Sequence, residues 1–257
     1  MKYWLESLAV TRRILTELLR RRRSLWFWLL FPVTVLLLNG YILAERAELP
    51  LSMALKFAAP STLIGAAFFF SCVGGTVAVI VSEREQQTLK RLFLSPLSGT
   101  SYFLGICGAQ GAIAIGQTLV IYTLAVFLGA SCAGSLFLAI LILFLSIISY
   151  VGVGFILGTQ LARRTEDVNT LVAAFGVPLL LVGGAFFPTL IFPEKLLQIA
   201  QFNPIFHMNE SLVKVWADGA NLAGIGLHFS LLCGFAAIAI ACGWLSYRQM
   251  LLRERKL

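Results

Sequence analysis

The sequence predicts an all-α polytopic membrane protein, and three observations carry that prediction. Hydrophobic residues make up 59% of the 257 residues and charged residues 12%, with mean hydropathy +0.88, whereas soluble domains carry about 25% charged residues. The apolar residues gather in six runs without a charge, each long enough to cross a bilayer as a helix. The basic residues are shared unequally between the segments that join those runs.

The chain opens on an amphipathic stretch. Trp4, Leu8, Leu15, Leu18 and Leu19 recur near helical spacing, while Lys2, Glu6, Arg12, Arg13 and Glu17 fall largely elsewhere, so a helix lying in the membrane interface is expected over 1–24. Arg20 to Arg23 suit anionic head groups, each worth about 1 kcal/mol near the surface. Two roles stay open for this helix, a membrane anchor and a contact for a partner. The run 25–43 then gives the first span: its 19 residues reach roughly 28 Å at about 1.5 Å per residue. That length favours a retained helix over a cleaved signal. Further spans follow at about 57–81, 102–128, 135–160, 171–187 and 223–246. The fifth contains Pro178 and leads into Gly183, Gly184 and Pro188, residues that buried membrane helices tolerate. The chain thus reads as one transmembrane domain over 1–257, with a six-span bundle over 25–246 and a tail over 247–257.

Six spans put both termini on one side. Of the 20 Lys and Arg residues, only Arg46, Lys56, Lys195 and Lys214 fall on the other, which places both termini in the cytoplasm and the chain in an inner or plasma membrane. The same asymmetry accounts for the formal charge of +8, so no nucleic-acid partner is expected. The five cysteines are odd in number, mostly within apolar runs and without a CxxC pair. Neither a disulfide framework nor a metal site is expected from them.

Little in the spans looks like catalytic machinery. His228, near the start of the sixth, reads as a lone packed or interfacial histidine rather than a catalyst. Glu166 and Asp167 read as a solvated turn between spans four and five. No GxxxxGK[ST] loop is present, so the chain is not expected to hydrolyse ATP or to be an enzyme. The long excursions after spans two and five have no counterparts at matching positions, which argues against a carrier built from two related halves. Gln110 and Gln117, seven residues apart, share one face of span three with Gly105, Gly108, Gly111 and Gly116 nearby. Two readings stay open for them: helix packing, and a weakly polar stripe along a substrate path that suits an amphiphile better than a bare ion. A lipid-modifying enzyme would need clustered Asp, His or metal ligands near a membrane face, and an ATPase-independent channel or scaffold is the other alternative.

The most informative stretch is SEREQQTLKRLFLSPL, residues 82–97, between spans two and three. Glu83, Glu85 and Gln86 stand early, Lys90 and Arg91 later, and Pro96 marks a stop, so a short helix is expected there. Leu89, Leu92 and Phe93 give it an apolar stripe, fit to lie on the membrane or to fill a partner's groove. The stretch resembles the E-x-E-x-G-T-L-E-R-L-x-x-x-P-L pattern of the ABC-2 type permeases, the membrane subunits of ATP-binding-cassette exporters. Glu83, Glu85, Thr88, Leu89, Arg91, Leu92, Pro96 and Leu97 match it; Gln87 stands where the pattern has glycine, and Lys90 where it has an acid. A second stretch, GGAFFPTLIFPEKLLQIAQFNPIFHMNESL, is similar to that family's G-x-x-F-P and N-P segment through Gly184, Phe187, Pro188, Pro193, Asn203 and Pro204, with Lys214 where the pattern often has arginine.

The resemblance implies a six-span permease subunit, re-entrant helices between spans five and six, and a homodimer or heterodimer docked to a separate cytoplasmic ATPase. That ATPase would bind ATP and Mg, with no cofactor in this chain. It also implies that Glu83, Glu85, Thr88, Leu89, Arg91, Leu92, Phe93 and Pro96 form the coupling element. The expected cargo is amphipathic: a glycolipid, lipid-linked glycan, lipid or hydrophobic drug.

Overall fold

The computed structural model describes residues 2–20, 22–88 and 97–254. Among the described residues all regular structure is helical. Helix α1 (Lys2–Arg20) precedes α2 (Arg22–Arg46), α3 (Leu51–Glu85), α4 (Gly99–Phe127), α5 (Leu136–Leu161) and α6 (Thr165–Val182). Two short helices, α7 (Glu194–Ala200) and α8 (Pro204–Trp216), lead to α9 (Gly226–Glu254). Six of these, α2 to α6 and α9, are long and apolar enough to cross a membrane.

The boundaries differ from the expected ones where polar residues find partners. Helix α3 is 35 residues long. Pro50, extended at φ −56° and ψ 143°, sets its start. Its last turn passes through Glu83, Arg84 and Glu85, and the chain leaves the helix at Gln87, whose φ is +54°. Glu166 and Asp167, at the surface as expected, are not a turn between spans: they form the first turn of α6. The Asp167 carboxylate accepts the amides of Arg163 and Arg164 at 3.0 and 2.9 Å, satisfying donors that a helix start leaves open. The fifth span accordingly covers Thr165–Val182 rather than 171–187, and Gly184 at φ +73° follows its end. Helix α9 carries the chain on to Glu254, and Tyr247, expected in the tail, is fully buried in the bundle.

Glycines set the closest crossings. A Cβ on Gly152 of α5 would lie 2.5 Å from the Ala239 backbone of α9, which no side chain could occupy. Helix α1 lies along α4, with the Thr11 hydroxyl donating to the Gly105 carbonyl at 2.9 Å. Ser7, Val10 and Ile14 form its buried face, so Trp4, Leu8 and Leu19 point outward as a separate apolar face. The bundle has two distinct ends. One gathers both chain ends, the end of α3, the start of α4 and the end of α5. At the other, α8 packs against α3, α5 and α9, and the Ala133 amide donates to the Trp216 carbonyl at 2.8 Å.

Candidate functional site

The end of α3 is the most connected polar point among the described residues. Glu83 is buried, ion-paired with Arg13 of α1, and accepts the Tyr102 hydroxyl of α4 at 2.5 Å. The Tyr102 ring stacks on Tyr247 of α9 with centroids 5.6 Å apart. Arg84 donates to the carbonyls of Gly158 and Ala162 at 3.1 and 3.0 Å and meets the Met250 sulfur at 3.0 Å. Those carbonyls close α5, whose last turn otherwise lacks donors. Glu85 accepts the Thr165 amide at 3.0 Å and also its hydroxyl, a carboxylate at the positive end of α6. Nearby, Glu6 of α1 accepts the Ser101 hydroxyl at 2.7 Å and the Ser98 amide at 3.1 Å. The Ser101 hydroxyl first, then the Ser98 amide, hold its carboxyl below the usual carboxylate range.

Glu83 and Glu85 do not open a separate helix: they end α3 and are engaged inside the chain. Thr88 borders a cleft beside them. Leu89, Arg91, Leu92, Phe93 and Pro96 lie outside the described residues.

Two clefts continue from this point along α3. The first, of about 320 Å³, is bordered by Arg13, Glu17, Gln86, Thr88 and Gln110; the second, of about 410 Å³, by Phe27, Phe31, Phe70, Asn169 and Gln117. They share Trp28 and Ala78. The two amides expected on one face of α4 are therefore brought to one seam, both buried. Gln117 donates to the Trp28 carbonyl at 3.1 Å. Gln110 packs over Gly75, where a Cβ would come within 2.8 Å of its oxygen. The side-chain carbonyls of both glutamines have no hydrogen-bond partner among the described residues. Gly105 and Gly108 serve the contact with α1 instead, while Gly111 and Gly116 face open space. Ala66, Phe70 and Gly74 on one wall, and Val172 on the other, sit in π-helical stretches, Leu63–Gly74 and Val172–Gly176. Such stretches are rare and cluster at functional sites.

At the opposite end the second motif holds α8 against α6. Asn203 caps α8 by accepting the Ile205 amide at 3.0 Å, with Pro204 at its first position, and donates to the Leu179 carbonyl at 2.6 Å. The Gly184 carbonyl accepts the Asn209 amide at 3.0 Å. Pro193 starts α7 and Pro188 starts a single 3₁₀ turn, Thr189–Ile191, while Phe187 stays largely exposed and joins none of these contacts. His228 is not solitary, as the sequence suggested. Its Nδ1 lies 2.9 Å from Nδ1 of His207 and its Nε2 3.0 Å from Lys214 Nζ. Sequence reasoning passed over His207. The available signal was its seven-residue spacing from Lys214, two turns along one helix face.

The sequence profile of the ABC-2 type transporter family matches residues 6–216. That stretch includes the whole network at the end of α3, apart from the residues contributed by α9, together with both clefts and the turn from Gly184 to α8. No curated protein matches the chain at a significant level. On a profile match that takes in most of its length, the chain belongs to the ABC-2 type transporter family.

Proposed function

We propose that this ABC-type permease is the membrane half of an exporter, driven by ATP hydrolysis in a separate cytoplasmic ATPase that supplies the ATP and Mg site. The observation that carries the reading is the clamp at the end of α3. Glu83, Arg84 and Glu85 reach α1, α4, α5, α6 and α9 within three consecutive residues. Any displacement of the segment that follows is therefore passed to most of the bundle. In this proposal residues 86–97 dock on the ATPase, Leu89, Leu92 and Phe93 provide the apolar contact, and Arg91 and Pro96 set its orientation and end. ATP must favour one arrangement of the path over another, since only differential affinity can drive a two-state equilibrium.

Both termini lie in the cytoplasm of an inner or plasma membrane, α1 rests in the interface, and α7 and α8 are re-entrant. A second permease subunit, identical or related, completes the path. The seam past Gln110 and Gln117 suits an amphipathic cargo such as a glycolipid, lipid-linked glycan, lipid or hydrophobic drug, because aromatic walls accompany two neutral amides.

The test is affinity purification of the tagged chain from mild detergent with mass spectrometry of its companions, on wild type and Leu92→Asp. Recovery of a Walker-loop ATPase with wild type and its loss with Leu92→Asp is expected. Reproducible recovery of the chain alone, with the ATPase expressed, would shift the assignment to a channel, a scaffold or a lipid enzyme.

A further inference from the structure

The polar cluster between α8 and α9 is a hydrogen-bonded chain whose proton positions are dictated by its two ends. His207 Nε2 lies 2.8 Å from the Gln201 carbonyl. A carbonyl only accepts, so this nitrogen carries hydrogen, and a neutral His207 is left with a lone pair at Nδ1. His228 Nδ1, 2.9 Å away, must then carry the hydrogen between the rings. That leaves a lone pair on His228 Nε2, facing the Lys214 ammonium at 3.0 Å, which can only donate. Each position is filled once, from Lys214 through His228 and His207 to Gln201.

A further proton has no place in this chain. On His207 it would set N–H against N–H between the rings; on His228 it would set N–H against an ammonium. The surroundings offer no compensation. Phe206 closes over both rings, with centroids at 5.4 and 5.8 Å. At this end of the bundle the charged groups on the neighbouring elements are Lys56 of α3, Glu194 and Lys195 of α7, Glu210 of α8 and Asp218 beyond it. Among the described residues none of these hydrogen-bonds either ring, and Glu210 instead accepts the Thr189 hydroxyl. His228 also sits in the first turn of α9, where the helix dipole disfavours a cation.

We propose that His207, His228 and Lys214 form a proton-operated latch between α8 and α9, closed while both imidazoles are neutral and opened by acid on the side opposite the termini. Opening frees the first turn of α9 from α8, which Asn203, Asn209 and the Ala133–Trp216 hydrogen bond still hold in place, so the start of α9 moves away from it. The latch rests on the permease reading in one respect, the compartment that supplies the proton.

The test places nitroxide labels at Phe202→Cys and Leu227→Cys, both well exposed positions, in the full chain with its native cysteines replaced, in nanodiscs. Distances are read from about pH 8 to about pH 3.5. One short distance is expected at the alkaline end. A longer population should grow as pH falls, with a midpoint at or below about 6.5, the ordinary imidazole value. His207→Gln and His228→Asn should each abolish the pH response. Lys214→Gln keeps a donor but removes the facing charge, and should move the midpoint upward, a shift that loss of packing would not produce. A wild-type distance unchanged across the range, or an unaltered transition in the two histidine variants, would overturn the latch. Proteoliposomes acidified on one face separate the two readings. A response only to acid opposite the termini supports the orientation, and a response only to the other face overturns the orientation while the nanodisc result stands.

Discussion

At the end of the bundle that carries the termini, long charged side chains do the fastening: Arg13 on Glu83, Arg84 on the carbonyls of Gly158 and Ala162, Glu85 on Thr165. At the other end short neutral groups tie α8 to the end of α6: Asn203 on the Leu179 carbonyl, Asn209 on the carbonyl of left-handed Gly184. An arginine has several rotatable bonds and can keep a partner while helices shift. An asparagine under a glycine turn holds only if the backbone keeps its shape. The first end is suited to motion, and the attachment through Asn203, Asn209 and Gly184 to a fixed pivot.

The comparison breaks most sharply at Gly184. A side chain there must adopt the left-handed region, which costs about 1–2 kcal/mol, and its Cβ would lie 2.4 Å from the Thr189 methyl, an overpacking cost of about 1–3 kcal/mol. Gly184→Val is expected to destabilise the permease by about 3 kcal/mol, measured by thermal unfolding in nanodiscs. A loss within about 0.5 kcal/mol, the range of ordinary surface changes, would mean that this end is not held by backbone geometry.

At the charged end the effect is smaller because Arg13 remains 37% exposed and water can replace part of the pairing. Glu83→Ala is expected to cost about 2 kcal/mol, between the values for exposed and buried pairs. The sharper measurement is the double-mutant cycle with Arg13→Ala. A coupling of about 1 kcal/mol is expected; full additivity would mean that the two side chains are neighbours without being partners.

How far these ends were legible in the sequence follows from what each signal depends on. Charge-free runs gave the six spans because apolar length is a local property, and the even number of spans gave a common side for the termini. The charge-free rule cut α3 short, since Glu83, Arg84 and Glu85 read as the start of a separate short helix between spans until their partners on five other helices are known. Glu166 and Asp167 read as a turn for the reverse reason: the Asp167 carboxylate caps a helix start by accepting the amides of Arg163 and Arg164, while Glu166 stays exposed in the same turn. Gln110 and Gln117 were legible as one face from spacing alone, but the choice of neighbours was not, because Gly105 and Gly108 turned out to serve α1. His228 required His207 from a different helix, and no local pattern carries that pairing.

Gln87 links the two ends, since it adopts at φ +54° the same left-handed region that Gly184 occupies at φ +73°. The family pattern has glycine at the first position as well as the second. Gln87→Gly should therefore stabilise the turn after α3 by about 1 kcal/mol, seen as a raised unfolding midpoint. An unchanged or lowered midpoint would mean that side-chain contacts of Gln87 offset the backbone cost.

The smallest expected effect separates the ends by pH. Glu6 binds its proton less readily in the folded chain than in the unfolded one, because the Ser101 hydroxyl and Ser98 amide are donated to the carboxylate. Its stabilising contribution is thus complete above the unfolded carboxylate value of about 4.3 and is lost as pH falls through the lower folded value. The histidine latch has the same sign at higher pH, being lost below about 6.5. Unfolding midpoints of wild type and Glu6→Gln should differ near neutrality and converge in strong acid, while His228→Asn should part from wild type over the imidazole range instead. A Glu6→Gln difference that stays constant at every pH would assign the contact of α1 with α4 to packing around Val10 and Thr11, and leave the carboxylate without a share in it.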